Sequence, residues 1–402
     1  MLVNVVGLGY IGLPTALMLA AHGVRVFGTD MKADLVERLT AGQVTFEEEH
    51  LPELFSKALA AGIGFSTEYQ KADVYIIAVP TPYSRLTRKI DPVYVVSAVK
   101  NVLEVCPDNA VIVIESTISP GTIEQCVRPL LGGRPIRLAH APERIIPGNM
   151  IHELIHNSRT IGADDPETGK MIRDLYASFC QGQINLTDIK TAEMSKVVEN
   201  TYRDINIAYA NELSRICHEA GLDVYEVIRI ANCHPRVNIL TPGPGVGGHC
   251  ISVDPWFLVG DYPELTPLIH TARTTNDSQP EYVLERIGEI MKEKGITDVR
   301  RVGLYGLTYK ENVDDTRESP TLQLLEIMET HLSGGLVQVY DPFVDKDIVP
   351  NQHHDLDAFL NAVDMVVVMV GHQQILDNAG KLSGKVVFDT RHVLKQEGIF
   401  HL

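Results

Sequence analysis

Short apolar runs separated by helical stretches dominate the first half of the chain. Leu2–Val6 predicts a strand, and a glycine-rich turn then leads into an apolar helix that continues to Ala21. Val24–Gly28 predicts the second strand, and Val74–Val79 and Ala110–Glu115 predict two later buried strands. Strands and helices that alternate in this way are typical of a parallel, doubly wound sheet.

The pattern changes over Lys190–Ala220, which predicts one long helix. Apolar residues recur on one of its faces at helical spacing, namely Val198, Tyr202, Ile205, Tyr209 and Ile216. Polar residues cluster on a different face, namely Glu193, Lys196, Asn200, Arg203 and Asn211. A long helix between two α/β regions indicates a connector that also builds a subunit interface.

The strand–helix rhythm then restarts near Val299. The strands predicted in this region are Arg301–Leu304, Gly335–Tyr340, Asp364–Val370 and Lys385–Asp389. The sequence therefore predicts the α/β class, with two Rossmann-like parallel-sheet domains joined by a central helical domain that contains a long connecting helix. The predicted domains span residues 1–188, 189–298 and 299–402.

The net charge narrows the choice of partners. The 402 residues carry a formal charge of −17, which argues against a nucleic-acid partner because such a partner requires a basic surface. Anionic ligands would therefore require basic residues gathered at the site.

Met1 leads straight into an apolar run, so we expect no signal peptide, and runs such as Met365–Val370 are too short to cross a bilayer. We expect a cytoplasmic protein with no membrane partner.

The cysteines argue against a metal site. They occur without a CxxC pair, at Cys106, Cys126, Cys180, Cys217, Cys233 and Cys250. With no export signal, reduced thiols are expected. We expect all but Cys250 to pack as small hydrophobic residues.

Cys250 lies in a different setting, the segment TPGPGVGGHCISVDPWF over Thr241–Phe257. The glycines and prolines of this segment exclude a regular helix or strand and let backbone approach a ligand closely. Asp254 follows shortly after the thiol. A cysteine in a glycine-rich loop with an acid nearby is a candidate nucleophile, although a lone cysteine more often packs as a small hydrophobic residue.

The first turn carries a dinucleotide-binding fingerprint. Gly7, Gly9 and Gly12 form GxGxxG between a predicted strand and a predicted helix, whose N-terminus can hold a pyrophosphate. Asp30 ends the second strand, where an acid accepts hydrogen bonds from a ribose and favours NAD over NADP. The alternative is a merely tight turn. The pair Gly303 and Gly306 lacks the third glycine and the acid, so we predict no second NAD site there.

Other polar residues follow predicted strands, where ligands of open α/β sheets bind. Thr81 and Thr117 offer hydroxyl groups, and Glu143 and Arg144 bring an acid and a base together after a proline. A turn or helix cap is an equally good interpretation of the two threonines. A surface ion pair is the alternative for Glu143 and Arg144.

Lys196, Asn200 and Arg203 form a narrow stripe along the long helix, which suits an anionic, hydroxylated ligand; a solvated face is the alternative. Further basic residues follow strands or precede the cysteine segment, namely His234, Arg236, Lys310 beside Tyr309, Arg317 and Arg391. Each is consistent with surface charge. Their repeated position indicates a shared cleft for a diphosphate ligand.

These motifs together resemble the nucleotide-sugar 6-dehydrogenases, the UDP-glucose dehydrogenase family, over nearly all 402 residues. The resemblance rests on VVGLGYIGLP, VPTP, ESTISPGT, APERIIPG, TAEMSKVVENTYRDINIAYANEL, HPRVNILTPGPGVGGHCISVDPWF and DDTRESP. The HPRVNILTPGPGVGGHC run is the most specific of these. It is similar to the N-acetylmannosamine branch rather than the glucose branch.

The resemblance implies a role for each matching residue. Cys250 would be the nucleophile, Lys196 the acid/base or oxyanion-stabilising residue, and Asn200 and Asp254 positioning residues. Thr117 and Glu143 match positions tied to the catalytic water. NAD contacts would come from Tyr10, Ile11, Asp30, Thr81, Thr117 and Arg317, beside the glycine turn. UDP-sugar contacts would come from Arg144, Ile145, Lys196, Asn200, Arg203, Gly247, Tyr309, Lys310 and Arg391, with His234 and Arg236 reaching the site of a neighbouring subunit.

The family pattern implies a homodimer or higher homo-oligomer, with NAD bound by the first domain and the UDP-sugar by the last. The implied reaction is the oxidation of UDP-N-acetyl-D-mannosamine at C6 to the uronate, a step in cell-surface polysaccharide synthesis. UDP-N-acetylglucosamine and UDP-glucose stay open as substrates. A single-hydride hydroxy-acid dehydrogenase and a catalytically silent NAD-sensing module are the remaining alternatives. Glucose-specific relatives carry a second acid after the PE pair, where this chain has Arg144-Ile145-Ile146-Pro147.

Overall fold

The computed structural model describes residues 1–248, 250–331 and 336–402, which form two compact units. The first unit is Met1–Glu199 and the second is Asn200–Leu402. Each unit contains one β-sheet flanked by helices. The predicted α/β class, with two Rossmann-like sheets and a helical region between them, is confirmed. The three domain boundaries stay a prediction.

The sheet of the first unit has the strand order β3-β2-β1-β4-β5-β6-β7-β8. Its strands are β1 (Leu2–Val6), β2 (Arg25–Thr29), β3 (Gly64–Ser66), β4 (Val74–Ile77), β5 (Val111–Ile114), β6 (Arg137–His140), β7 (Arg159–Ala163) and β8 (Ile184–Thr187). The first strand has the predicted bounds, and the other predicted strands of this sheet shift or shorten by one or two residues at an end. The sheet is not wholly parallel, because β7 runs antiparallel to β6.

Helices cover both faces of this sheet. They are α1 (Gly12–Ala21), α2 (Ala33–Thr40), α3 (Leu51–Ala60), α4 (Val93–Val105), α5 (Met150–His156), α6 (Pro166–Tyr176) and the first part of α7 (Ile189–Ala220), with a π-helical turn at Ile123–Val127 and a 3-10 turn at Arg128–Leu131. Val111 and Val113 join one buried cluster, whereas Ile112 and Ile114 join the other. Because successive side chains of a strand point to opposite faces, β5 is apolar throughout.

The second unit begins within α7 and ends in a parallel sheet of order β11-β10-β9-β12-β13-β14. Its helices are α8 (Val224–Ala231), α9 (Asp254–Asp261), α10 (Pro267–Asp277), α11 (Gln279–Lys294), α12 (Pro320–His331), α13 (Leu356–Ala362) and α14 (Gln373–Asp377), with 3-10 turns at Pro263–Leu265, Val299–Arg301 and Ala379–Leu382. Its strands are β9 (Val302–Tyr305), β10 (Gln338–Tyr340), β11 (Gln352–His353), β12 (Met365–Val368), β13 (Val386–Asp389) and β14 (Phe400–His401). Gly335, the predicted start of β10, lies outside the described residues.

The second sheet repeats one detail of the first, and it corrects the sequence interpretation. Gly306 follows β9 with a φ of 103°, and an acid, Asp341, does follow β10. Its carboxylate accepts hydrogen bonds from the backbone N–H groups of Leu307 (2.6 Å) and Thr308 (3.0 Å). Asp341 and His372 are both buried. The Nδ1 of His372 accepts a hydrogen bond from the Asn312 backbone N–H, so its Nε2–H donates to the Asp341 carboxylate, at 3.2 Å. The expectation that this turn lacks an acid is therefore wrong. The Asp341 carboxylate, however, binds backbone and side-chain groups of the protein itself.

Among the helices that the structure describes, none is long and apolar enough to span a bilayer.

The expectation that the cysteines other than Cys250 pack as small hydrophobic residues holds in part. Cys106, Cys180 and Cys217 are buried and Cys126 is half-buried, but Cys233 is exposed, so its packing prediction is wrong. Cys233 follows α8, in a stretch whose residues from Asn232 to Arg236 are all exposed.

Candidate functional site

The turn between β1 and α1 has the shape that a bound diphosphate requires. Gly7 has a φ of 90°, and a Cβ there would lie 2.5 Å from the carbonyl oxygen of Ala78. A Cβ on Gly12 would lie 1.9 Å from the carbonyl oxygen of Gly7, so the helix can pack this closely only with glycine. A Cβ on Gly9 would meet none of the described residues within 4 Å. The backbone of Gly9 therefore faces open space before a helix N-terminus, where a pyrophosphate fits.

Asp30 is held beside this turn by two backbone hydrogen bonds. Its Oδ2 accepts from Leu8 N–H at 2.8 Å, and its Oδ1 accepts from Lys32 N–H at 2.9 Å. Each carboxylate oxygen keeps a further lone pair, which suits the two hydroxyl groups of a ribose. Tyr10 and Ile11 lie within the turn and are half-buried. The residues present therefore fit NAD.

Thr81 and Thr117 follow neighbouring parallel strands, β4 and β5, and both are half-buried. The hydroxyl of Ser116 donates a hydrogen bond of 2.7 Å to the carbonyl oxygen of Val79. This bond ties the two loops together at the carboxyl edge of the sheet. The structure thus brings both threonines to the edge at which open α/β sheets bind ligands.

Glu143 is buried, and its partner is one that the sequence interpretation missed. Its carboxylate forms an ion pair with Arg159, the first residue of β7, and accepts a hydrogen bond of 2.7 Å from the backbone N–H of Arg144. Arg159 is buried too, and its guanidinium lies 4.2 Å from the ring centroid of Tyr176. The alternative interpretation of Glu143 and Arg144, a surface ion pair between them, is therefore wrong. The available signal was an arginine that opens an apolar strand.

Arg159 also contacts a second buried carboxylate, Glu115, at 3.4 Å. Glu115 accepts further hydrogen bonds from the hydroxyls of Tyr176 (2.9 Å) and Thr15 (3.3 Å). Burial raises the pKa of Glu115, and the charge of Arg159 opposes that rise. The guanidinium of Arg159 thus contacts both Glu115 and Glu143. It fixes the position of the Glu143 carboxylate.

Arg144 has protein partners for its side chain. It donates to the backbone oxygen of Ser158 at 2.7 Å, to the hydroxyl of Thr160 at 3.0 Å and to Glu199 at 2.5 Å. Ile145 is buried within the core cluster of the first unit. The contacts of Arg144 and Ile145 with a UDP-sugar stay predictions.

Helix α7 has its polar face inside and its apolar face outside. Lys196 and Asn200 are only 6% and 5% exposed, so the solvated-face alternative is wrong for both, whereas Arg203 is exposed. The exposed apolar residues of the same helix are Val198, Tyr202, Tyr209 and Ile216. A surface helix usually packs its apolar face against the core and exposes its polar face, and α7 does the opposite.

Glu193, one turn before Lys196, links α7 to the loop that follows β5. Its carboxylate accepts hydrogen bonds from the backbone N–H groups of Ile123, at 2.9 Å, and Gly121. Burial raises the pKa of Glu193, and these two N–H groups oppose that rise. The helix that carries Lys196 and the loop that carries Thr117 are therefore fixed to each other.

In the second unit, Asn200 contacts the segment that carries the thiol. Its side-chain amide donates a hydrogen bond of 2.6 Å to the carboxylate of Asp254, and both residues are buried. The backbone N–H of Asp254 donates to the carbonyl oxygen of Cys250 at 2.9 Å. Cys250 is exposed. The amide, the carboxylate and the thiol segment thus form one connected group.

The glycines before Cys250 allow the segment to pack against the loop after β9. A Cβ on Gly247 would lie 2.7 Å from Cβ of Tyr309, and one on Gly248 would lie 2.8 Å from the Tyr309 ring. The backbone N–H of Gly248 donates to the carbonyl oxygen of Arg317 at 3.0 Å. Burial raises the pKa of Tyr309 to about 12. The structure thus brings together Gly247, Cys250, Tyr309 and Arg317.

The remaining basic residues of the predicted site differ in their placement. Nη1 of Arg391 lies 2.8 Å from the position of a Cβ on Gly243, so this guanidinium borders the cysteine segment. Lys310 is half-buried, and Arg317 is exposed and paired with Asp315. His234 and Arg236 are exposed after α8, and their reach into another subunit stays a prediction. The individual roles of all these residues also stay predictions.

A dinucleotide turn with its acid, a second sheet of the same type and an exposed thiol beside a buried amide–carboxylate pair define an NAD-dependent dehydrogenase. Three models of the UDP-glucose/GDP-mannose dehydrogenase family match the chain. They are its NAD-binding domain over residues 1–180, its central domain over 190–278 and its UDP-binding domain over 303–396. The chain belongs to this family, and the predicted family and NAD cofactor are confirmed.

The relatives extend over almost the whole chain. UDP-N-acetyl-D-mannosamine dehydrogenase of Methanocaldococcus jannaschii is 42% identical, over 98% of this chain and 92% of that protein. NDP-N-acetyl-D-galactosaminuronic acid dehydrogenase of Ralstonia nicotianae is 40% identical, over 97% of this chain and 95% of that protein.

Solved structures agree with the sequence relatives. The UDP-N-acetyl-mannosamine dehydrogenase of Staphylococcus aureus superposes with a TM-score of 0.89 at 39% identity, covering 100% of this chain and 97% of that one. The corresponding enzyme of Pyrococcus horikoshii superposes with a TM-score of 0.91 at 36% identity, covering 100% of this chain and 98% of that one. The fold therefore extends along the full chain in both.

Proposed function

We propose that the chain oxidises the C6 hydroxymethyl group of UDP-N-acetyl-D-mannosamine to a carboxylate, with two NAD consumed per sugar. The observation that carries this proposal is the connected group of Asn200, Asp254 and the Cys250 segment. A dehydrogenase that stops at a single oxidation has no need of a nucleophilic thiol. The sugar follows the names of relatives that are 40–42% identical over at least 97% of this chain.

NAD, when bound, accepts the hydride in each oxidation. Gly7, Gly9 and Gly12 open the α1 N-terminus to its pyrophosphate, and Asp30 accepts hydrogen bonds from its ribose. An acid at this position repels a 2′-phosphate, so NADP is disfavoured. Thr81 and Thr117 border the same edge of the sheet and contribute polar contacts.

Cys250 supplies the covalent chemistry. In the first oxidation, C6 loses a hydride and its hydroxyl loses a proton, which yields an aldehyde. The Cys250 thiolate adds to the aldehyde carbon, forming a C–S bond and an oxyanion that takes up a proton. Loss of a second hydride and of that hydroxyl proton leaves a thioester. Water then adds, the C–S bond breaks, and the carboxylate and the thiolate are released with protons to solvent.

Lys196 and Asn200 share one face of α7 and stabilise the oxyanion that forms at C6 in each addition step. Asp254 orients the Asn200 amide, because the 2.6 Å bond fixes which way the amide points. Glu143, held by Arg159, and Thr117 serve the hydrolytic water. The charged groups Arg203, Lys310 and Arg391 bind the diphosphate of the substrate, which explains how a chain of charge −17 takes two anionic ligands.

The exposed apolar face of α7 supports a homodimer. Its four exposed residues, Val198, Tyr202, Tyr209 and Ile216, lie at helical spacing along one stripe. A contiguous apolar stripe on a helix is the surface that a second helix covers. His234 and Arg236 then contribute to the site of the neighbouring subunit. We place the enzyme in the cytoplasm, where NAD and nucleotide sugars are available.

A second candidate substrate is another UDP-linked 2-acetamido sugar. The relative from Ralstonia nicotianae, which is 40% identical over 97% of this chain, is named an NDP-N-acetyl-D-galactosaminuronic acid dehydrogenase. Such sugars differ from N-acetylmannosamine in stereochemistry alone. A pocket distinguishes them through a few contacts.

The test is an NADH assay across UDP-N-acetylmannosamine, UDP-N-acetylglucosamine, UDP-N-acetylgalactosamine and UDP-glucose, with NADH counted per sugar. We expect the highest kcat/KM and a ratio of two with the first. Cys250→Ser should bind NAD normally and fail to complete the second oxidation. A Cys250→Ser enzyme that forms two NADH per sugar at the normal rate refutes the proposal, as does a wild-type enzyme that reduces one NAD per sugar.

A further inference from the structure

A chain of buried polar side chains connects helices α7 and α10 to the segment that carries Cys250. The side-chain oxygen Oδ1 of Asn211 accepts a hydrogen bond of 2.9 Å from the backbone N–H of Gly243, and its side-chain amide donates to Oδ1 of Asn276 at 2.9 Å. Asn276 in turn donates to the backbone oxygen and to Oδ1 of Asp204, at 2.9 and 2.8 Å. The first contact of this buried network is thus at Gly243, before the thiol.

The second contact is beside the thiol itself. Arg273 on α10 is fully buried and forms ion pairs with Asp204 and Asp277. Its Nη1 also donates to the carbonyl oxygen of Ile251, at 3.4 Å, and Ile251 directly follows Cys250. The same network therefore holds the cysteine segment on both sides of Cys250.

Stability alone is a poor explanation for such a network. Taking two charges out of water is unfavourable, and apolar replacements of buried ion pairs are often neutral or stabilising. A charged arginine in the interior does, however, fix the direction of each group that it binds, because its donors form a rigid planar fork. The backbone oxygen of Ile251 is one of those groups.

We propose that Arg273, held by Asp204, which Asn276 holds in turn, is a positioning residue that sets the place of the Cys250 thiol through the Ile251 carbonyl. Asn211 does the same for the other side through Gly243. The inference rests on the proposed function, because it requires Cys250 to be the nucleophile. A displacement of about 1 Å at a reacting atom costs about 10²-fold in rate, so a loop nucleophile requires such support.

The decisive variant is Arg273→Lys, which keeps the cation beside Asp204 and loses the fork that reaches Ile251. We expect kcat with UDP-N-acetylmannosamine to fall about 10²-fold while both KM values stay within about twofold. Because the thiol then traps the aldehyde poorly, NADH per sugar should fall below two and hydroxylamine should capture free aldehyde. A loss of general stability would not by itself change this ratio.

Arg286→Lys is the matched control. Arg286 is also buried in the second unit and paired with an acid, Glu289, but its guanidinium lies over the ring of Phe388 in the C-terminal sheet. This variant should keep the wild-type kcat and the ratio of two. If Arg273→Lys does not fold, Asn211→Ala removes the Gly243 contact without touching the ion pair and should show the same change at smaller size.

The results separate the two proposals. A folded Arg273→Lys enzyme with wild-type kcat and two NADH per sugar overturns the positioning role, as does a variant in which KM rises and kcat is unchanged. Cys250→Ala, measured in parallel, tests the proposed function on its own. If that variant completes both oxidations, the proposed function fails; if it does not, the Arg273 result stands by itself.

Discussion

The side-chain amide of Asn200 donates a 2.6 Å hydrogen bond to the carboxylate of Asp254, and both groups are buried. Asn200 belongs to a long helix, and Asp254 opens the short helix α9. The last four residues of the cysteine segment Thr241–Phe257 are therefore helical, and the expectation that this segment contains no helix is wrong there, because Pro255 is tolerated in the first turn of a helix. The bond therefore connects the helix that carries the proposed oxyanion donors to the loop that carries the proposed nucleophile. A carboxamide has two donors, and this bond uses one of them.

The first prediction concerns this bond. Asp254→Asn keeps the size of the side chain, removes its charge and offers the Asn200 amide a second amide in place of a carboxylate. We expect kcat to fall by about 10²–10³, the usual cost of a misdirected oxyanion donor, with little change in the KM for NAD. Steady-state kinetics measure this. Asp261→Asn at the other end of α9 is the control, and equal losses in both variants would contradict the assigned role.

The second prediction concerns the choice of cofactor. Asp30→Ala removes the carboxylate that repels a 2′-phosphate, so the preference of the enzyme for NAD over NADP should shrink by about 10-fold or more, mainly through a higher KM for NAD. The measurement is kcat/KM with each cofactor. Asp34→Ala, an exposed acid of the following helix, should leave the ratio unchanged. An unaltered preference in Asp30→Ala would count against the ribose contact.

The third prediction concerns stability in acid. His140 is fully buried at the end of β6, its Nδ1 lies 2.8 Å from the Ile114 carbonyl oxygen, and burial lowers its pKa to about 4. Its Nε2 has no hydrogen-bond partner among the residues that the structure describes. Between about pH 6.5 and 4 the unfolded chain therefore binds a proton that the folded chain does not, so stability falls as pH falls, by up to about 3 kcal/mol from this group.

Urea unfolding of wild type and His140→Gln across that pH range measures this contribution. The variant is less stable at neutral pH, because it loses the packing of the ring, but its stability should fall less steeply in acid. His22→Gln replaces an exposed histidine and should follow the wild-type slope. Parallel slopes for wild type and His140→Gln would show that His140 is protonated normally in the fold.

The fourth prediction concerns assembly. Tyr202→Glu and Tyr209→Glu place a charge on the exposed apolar stripe of α7, and burying such a charge in an interface costs several kcal/mol. We expect each to shift a wild-type dimer to the monomer in light scattering coupled to size exclusion. Leu86→Glu changes an even more exposed apolar residue outside the stripe and should stay dimeric. A wild-type protein that is monomeric at all concentrations would refute the dimer.

The sequence predicts elements well where a run of one residue type decides them. Strand β5 is apolar at every position because both of its faces are buried, and such a run can be recognised without its neighbours. Helix α7 is likewise predicted almost to the residue from its spacing. Spacing reveals that two faces differ, however, and not which one is inside. In α7 the buried face is the polar one, which carries Lys196 and Asn200.

Partners that are distant in sequence could not be predicted. Glu143 is paired with Arg159 and not with its neighbour Arg144, because the antiparallel return of β7 beside β6 brings the arginine back under the acid. Arg273 and Asp204 lie on different helices, and neither has a local pattern that marks it as buried. These pairings depend on how the elements pack, which no single window of sequence contains.

Asp30 and Asp341 each follow the second strand of their sheet, but their carboxylates have different surroundings. Both carboxylates bind the backbone after the first strand of their sheet, but Asp341 is also closed over by His372. The Asp341 carboxylate is thus buried and already bound by His372 and by backbone N–H groups, so it is not open to a ribose. A search for cofactor sites by acid position alone would count two in this chain. Within the described residues, the His372 ring that covers Asp341 leaves Asp30 as the acid that is open to a dinucleotide.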